Sequence, residues 1–516
     1  MTFFESLLVL LLAAIVLLQI SRRLSLPYPA MLAAAGLIVA LIPGSPAISI
    51  EPETALALFM APVVLDAAYD FPLGAVRRMR RQLIVLAVFA VVATAALVAW
   101  IGWKLIGLPI AAAVALGAIV APPDAAAATA VLKAVSIPRD ADTVLKGESL
   151  FNDATALLLF TGALAVLSSG ALTAGVGLRI ALAAPGGLLF GFVCALLFRR
   201  VNRFVRNTLG GNLLQFVVAY LIWIVAAHLQ LSAVLSTIAF AMTIAQSAEV
   251  TAGTRMRVQS FAVWSAVVFA LNVFAFLLMG LQGRNIVSRM NPAHLRGSIL
   301  FAGAVVMTVV IARLVIVIGF DRLNAWWEML RRHTKHTKPN SWRRAVFEGW
   351  TGMRGFVTLA TAIALPVSFP QRDLVVLTAF LVVLATLVVQ GLTLVPLVRL
   401  LKLDEGDALK QEVAHGRCRL ATAALTALGG QTGAEADNVR YGYLIQRDAL
   451  KGPCEARANK KSRELGLSAI QAEREELERM RADDTIGADT YLLLQEELDW
   501  TELTLLSDDE RRIEGS

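Results

Sequence analysis

Between residues 3 and 401 the chain is a succession of apolar runs of about 20 residues, cut by clusters of charge, proline and glycine. Runs of that length suit a bilayer, where each helix satisfies its own backbone groups. Candidate spans fall near 3–20, 27–44, 52–71, 82–106, 109–132, 144–168, 177–199, 212–230, 231–247, 258–283, 296–320, 344–366 and 373–401. The expected fold is therefore an all-α polytopic membrane protein of about thirteen transmembrane helices. Composition agrees: 57% of residues are hydrophobic and 17% charged, with a mean hydropathy of +0.67.

Charge placement orients the spans. The loops after odd-numbered spans hold Arg22/Arg23, Arg77/Arg78/Arg80/Arg81, Lys133/Arg139/Lys146, Arg199/Arg200/Arg203/Arg206, Arg255/Arg257 and a basic stretch from Arg322 to Arg344. That is roughly 22 basic residues against about 6 on the other face, which predicts an N-terminus outside and a C-terminus in the cytoplasm. The loop with Arg284, Arg289 and Arg296 runs against the trend. The net charge of +8 conceals this asymmetry, because about 24 of the 39 acidic residues lie after Lys402. Loop orientation explains the basic excess without a nucleic-acid partner.

Hydropathy collapses after Leu401, so residues 1–401 read as the membrane domain and 402–516 as a helical cytoplasmic tail of unassigned function. Cys194, Cys418 and Cys454 are too scattered for a disulfide framework or a zinc site and read as free thiols. The N-terminal segment lacks a basic n-region and a small-residue cleavage site, and reads as a retained first span. No Walker loop, H-E-x-x-H or G-x-S-x-G motif occurs, which argues against an ATP-driven pump and a membrane-embedded protease. A channel would call for a filter or a repeated charged ring, and neither is visible. No enzyme activity and no cofactor are expected.

Ionisable residues inside spans are costly, about 2.5–3.5 kcal/mol each on insertion scales, so they mark function. They gather in few places: Asp66 and Asp70 in APVVLDAAYDF, Asp124 in GAIVAPPDAAAATAV, Glu148 and Asp153 in GESLFNDATALLLF, Arg313, and Arg354 in EGWTGMRGFVTLA. Two of these spans are also broken. Pro122-Pro123 removes two backbone donors from the fifth, and Gly352 and Gly355 weaken the twelfth around Arg354. If two inverted six-span repeats flank a linker helix, the fifth span matches the twelfth, and interrupted helices at matching places point to a mid-membrane binding site. Asp124, beside the prolines, can then offset the positive ends of half-helices.

Helix geometry divides the two carboxylates of the sixth span. At about 100° per residue Ser149 and Asp153 lie within ~40° of one another, whereas Glu148 and Asp153 are ~140° apart. Ser149 and Asp153 can jointly present hard oxygens to a small cation. An unpaired carboxylate in a low-dielectric cavity is expensive to keep charged, so proton and monovalent cation compete to neutralise it, and that competition is an exchange mechanism. Glu148 fits a buried ion pair with Arg354 or Arg313. His228 and His294, near span ends, read as bystanders, and His333 and His336 lie in a basic inner loop.

GESLFNDATALLLF resembles the glutamate-containing Asn-Asp motif of the cation/proton antiporter-1 family, the sodium/proton exchangers, and APVVLDAAYDF, GAIVAPPDAAAATAVLK and GWTGMRGFVTLA follow in family order. The resemblance covers residues 5–401. It implies a homodimer with two crossed, partly unwound helices and an elevator-like alternating-access cycle in the inner (plasma) membrane, serving intracellular pH and sodium homeostasis. By position it makes Asp153 the carrier of proton and Na⁺, Ser149 a cation ligand, Asn152 the neutral neighbour associated with electroneutral exchange, and Asp66 the counterpart of a glutamate near the ion path. It also favours Arg354 over Arg313 as partner of Glu148. Potassium/proton antiport is the nearest alternative, with Li⁺ a further possible substrate. Where the family often reads Thr-Asp-Pro, this chain has Pro123-Asp124-Ala125, and carbonyls near Val120 and Ala121 are the candidate substitutes for the threonine contact.

Overall fold

An α-helix rises 1.5 Å per residue, so the 11 residues Ile110–Val120 and the 8 residues Ala125–Leu132 span only about 16 and 12 Å, each too short to cross a bilayer. They are the two halves of one broken span. In the computed structural model the chain is described over residues 3–506, apart from 25–26, 42–50, 133–134, 136, 172, 206–207, 249–253, 289–291, 331–341, 405, 407, 449–452, 484 and 486–487. The described residues are almost entirely helical.

The first helices are α1 (Phe3–Leu24), α2 (Tyr28–Leu41), α3 (Pro52–Asp70), α4 (Leu73–Ile84) and α5 (Val91–Ile106), the last two joined by a π-helical turn, Val85–Ala90. The broken pair α6 (Ile110–Val120) and α7 (Ala125–Leu132) precedes α8 (Arg139–Ser169), α9 (Ala174–Val205), α10 (Leu209–His228), α11 (Ala233–Ala248), α12 (Thr254–Ser288) and α13 (Pro292–Leu330). A second broken pair, α14 (Trp342–Trp350) and α15 (Phe356–Ile363), leads into α16 (Arg372–Ala385), a π-helical turn at Thr386–Gln390, and α17 (Gly391–Leu400).

Over the described residues, the candidate spans are helical, either as one helix or as consecutive helical segments. Among the described residues, seven helices are long and apolar enough to cross a membrane by length and composition, and four shorter apolar helices accompany them. The fourth span begins earlier than hydropathy suggests: Arg77, Arg78, Arg80 and Arg81 are exposed on α4 rather than in a loop, because arginines propagate a helix well. The sixth likewise starts at Arg139, and its 31 residues end at Gly170, whose φ of +73° is a left-handed stop that glycine adopts without Cβ strain.

Two apolar clusters organise the helices. One centres on α2, α6, α12, α13 and α16; the other joins α3, α9, α10 and α11, and α8 contributes to both. Small residues bring backbones together within them. A Cβ on Gly280 of α12 would lie 2.2 Å from the Ala33 carbonyl of α2, and one on Gly191 of α9 would lie 2.0 Å from the Ser236 carbonyl of α11. Outward-facing Trp100, Leu189 and Leu300 remain exposed, as a lipid-facing surface requires.

The chain divides into Met1–Glu405 and Gly406–Ser516, four residues beyond the boundary at 401 drawn from hydropathy. In the second unit α18 (Ala408–Ala427) and α19 (Ala434–Asp448) precede a pair, α20 (Pro453–Ala482) and α21 (Ala488–Leu505). Arg474 bridges Asp499 and Glu502, both at 2.5 Å, and Tyr491 donates to Glu478 at 2.6 Å. Charged residues of α20 and α21 therefore serve contacts between the two helices as well as solvation.

Candidate functional site: two broken helices crossing

The breaks of α6/α7 and α14/α15 meet. The Asp124 amide donates to the Met353 carbonyl at 2.7 Å, and Arg354 Nε donates to the Val120 carbonyl at 3.1 Å. Proline explains the first break, since Pro122 and Pro123 have no N–H to continue the ladder. Passing side chains explain the second. A Cβ on Gly352 would fall 2.3 Å from Arg313 Cδ, and one on Gly355 would fall 1.6 Å from Asp124 Oδ2. Both glycines leave room for charged groups.

Four half-helix ends converge there and need compensation. Asp124 serves the positive ends: its Oδ1 accepts from the Ala126 amide at 2.8 Å, and its Oδ2 lies against Gly355, the N-cap residue just before α15. Arg354, fully buried, serves the negative ends by donating to the carbonyls of Val120, Ala121 (3.3 Å) and Gly352. Its own backbone amide donates to Thr386 Oγ1 at 3.0 Å. The carbonyls of Val120 and Ala121, the candidate substitutes for the threonine contact, are thus occupied by a guanidinium.

Arg354 is consequently not the partner of Glu148, although its motif position suggested it. Arg313 of α13 is. Its Nη1 and Nη2 donate to Glu148 Oε1 and Oε2 at 2.5 and 2.9 Å, and Nη2 also donates to the Glu348 carbonyl at 3.1 Å. Both side chains are buried. Helix phase underlies the correction: the crossing turns Arg354 toward half-helix carbonyls, while Glu148 points to α13.

Toward the break of α6/α7, Ser149 Oγ of α8 accepts from the Ala125 amide at 3.1 Å, and Asn152 Nδ2 donates to the Pro123 carbonyl at 2.7 Å. Both brace the break, and Asn152 Oδ1 stays unpaired among the described residues. Asp153 is 9% exposed and makes no hydrogen bond or ion pair among the described residues. Asp66 is half-buried on α3, and Asp70 is exposed at that helix's end. Seven residues before Asp66, on the same face, Phe59 packs edge-on against Phe356, the first residue of α15, with centroids 4.8 Å apart. That contact brings α3 to the crossing.

Sequence reasoning passed over Glu348, which is 2% exposed. Arg344 Nε donates to it at 2.7 Å and Gln82 Nε2 at 3.2 Å, and Arg78 donates to Asp140 at 3.2 Å nearby on α4 and α8. The spacing of Arg344 and Glu348, four apart on one helix, was a usable signal. Thr386 and Gln390 were also missed, because neither is charged. His228 Nδ1 lies 2.9 Å from the Ile224 carbonyl in its own helix, a local contact. His333 and His336 fall outside the described residues, and Cys194 and Cys418 are free thiols.

Residues 8–400 match the sodium/hydrogen exchanger family, transmembrane part. The chain belongs to that family. It is a transporter rather than an enzyme, and a multi-pass membrane protein. Among relatives of this sodium/hydrogen exchanger, an uncharacterized Na⁺/H⁺ exchanger of Mycobacterium tuberculosis is 28% identical, covering 96% of this chain and 95% of its own. A sodium, potassium, lithium and rubidium/H⁺ antiporter of Bacillus pumilus is 27% identical over 91% of this chain and 73% of that protein. The fold is similar to the sodium proton antiporter of Methanocaldococcus jannaschii, with a TM-score of 0.57 at 16% identity, over 77% of this chain and 97% of that one.

Proposed function

We propose that this exchanger carries Na⁺ against H⁺ by alternating access, with Asp153 loaded in turn by each. One observation carries the reading. Glu148, Arg313, Glu348, Arg354 and Asp124 each have polar partners, while Asp153 has none among the described residues. A buried carboxylate left without a counter-charge must take a proton or a cation.

The neighbouring groups suit that task. The Ser149 hydroxyl, one turn away on the same face, keeps its own proton and a second lone pair after accepting from Ala125, so it can add an oxygen to a cation at Asp153. Asn152, held on Pro123, adds no charge. One carboxylate cycling between Na⁺ and H⁺ moves no net charge, and the exchange is electroneutral. Asp66, on the α3 face that reaches the crossing, guides the cation toward the site. Selectivity for Na⁺ over K⁺ stands as the leading reading, and the broad cation range in the name of the Bacillus pumilus relative keeps K⁺ as the second.

The basic loops support an N-terminus outside and a C-terminus in the cytoplasm of the inner membrane. The family resemblance supports a homodimer, in which the crossing moves as a unit past α3. Proteoliposomes test the function directly: internal pH is followed as Na⁺, K⁺ or Li⁺ is added outside. Na⁺ should drive proton efflux in the wild type and not in Asp153→Asn. Flux that survives Asp153→Asn sinks the assignment.

A further inference from the structure

Each broken helix pair is followed by a long helix that braces its break with a hydroxyl. After α6/α7, Ser149 of α8 accepts the Ala125 amide at 3.1 Å; after α14/α15, Thr386 accepts the Arg354 amide at 3.0 Å. One turn beyond each hydroxyl stands a buried polar residue. Beyond Ser149 it is Asp153, 9% exposed; beyond Thr386 it is Gln390, 2% exposed. The two helices therefore present matching positions to the crossing, one acidic and one neutral.

Gln390 has no role in the architecture described so far. Both its amide oxygen and its amide nitrogen are buried and lack a hydrogen-bond partner among the described residues. It closes the π-helical turn Thr386–Gln390, and such turns concentrate at functional positions. The next residue, Gly391, faces Pro27 and the sulfur of Met353, whose carbonyl receives the Asp124 amide. Gln390 thus lies beside the crossing. Buried amides in folded proteins are satisfied by protein groups or by ordered water, and a buried water makes about three hydrogen bonds to groups otherwise unpaired.

We propose that Gln390 marks a second coordination site at the crossing, the counterpart of the Asp153 site, which holds a water molecule where Asp153 holds a cation or a proton. Its neutral amide offers an acceptor and two donors but no charge, so by itself it does not neutralise a cation buried there. The difference of one functional group confines cation binding to one side of the crossing. This inference rests on Asp153 being the exchange carboxylate.

The test gives the second site a charge and reads binding rather than transport. Thermal unfolding of the purified full chain is measured at alkaline pH in NaCl and in choline chloride, for wild type, Asp153→Asn and Asp153→Asn/Gln390→Glu. Na⁺ should raise the Tm of the wild type by several degrees, lose that effect in Asp153→Asn and regain it in the double variant. Loss without recovery overturns the site at Gln390 and leaves Asp153 standing. A Na⁺-dependent rise retained in Asp153→Asn overturns the assignment of Asp153 itself and the pairing built on it. Should the double variant not fold, Gln390→Leu decides. A lower Tm supports a hydrated amide, whereas an unchanged or higher Tm shows an orphan group and overturns the proposal.

Discussion

Arg313 closes a two-pronged ion pair on Glu148, at 2.5 and 2.9 Å, across 165 residues of sequence. The pair ties α13 to α8 one residue before Ser149, and so sets the helix that carries Asp153. Removing one partner leaves the other charge buried and alone, a loss of about 3–5 kcal/mol. Glu148→Gln and Arg313→Met should each lower folded yield and Tm sharply, and Glu148→Leu/Arg313→Met should recover much of the loss. Thermal unfolding in detergent checks it; a full-strength Tm in either single variant counts against a structural pair.

Arg354 reaches three carbonyls through three nitrogens, a geometry that needs the planar guanidinium fork. Lysine brings the same charge as a single point. Arg354→Lys should therefore cost about 2 kcal/mol or more, by leaving half-helix carbonyls unpaired. Equal Tm values for Arg354→Lys and wild type would show that charge alone suffices.

Gly355 leaves its Cβ position to Asp124 Oδ2, only 1.6 Å away, whereas Gly303 has nothing within 4 Å. Gly355→Ala should push Asp124 off the half-helix ends and abolish Na⁺-driven proton flux, while Gly303→Ala should transport normally. Comparison of initial rates in proteoliposomes, at matched protein content, separates the two.

Asn152 donates to the Pro123 carbonyl at 2.7 Å, which a carboxylate cannot do. Asn152→Asp should both loosen the break and add a second charge beside Asp153. Transport by that variant should become dependent on membrane potential, imposed with a K⁺ gradient and valinomycin, while the wild type remains indifferent. A wild type that responds strongly to potential would exclude one-for-one exchange.

The sequence by itself determined the membrane class, the helices and where two of them break, because hydropathy, proline and glycine act locally along the chain. It also separated Glu148 from Asp153, since helical phase is a local property. Partner choice was beyond its reach. Arg313 and Arg354 are both arginines within apolar spans, and only the crossing, which turns Arg354 onto the carbonyls of Val120 and Ala121, leaves Glu148 to Arg313. The burial of Gln390 was equally hidden, because the cost of a buried polar group depends on which distant segments surround it. Composition decides that such groups must be answered; tertiary structure decides by what.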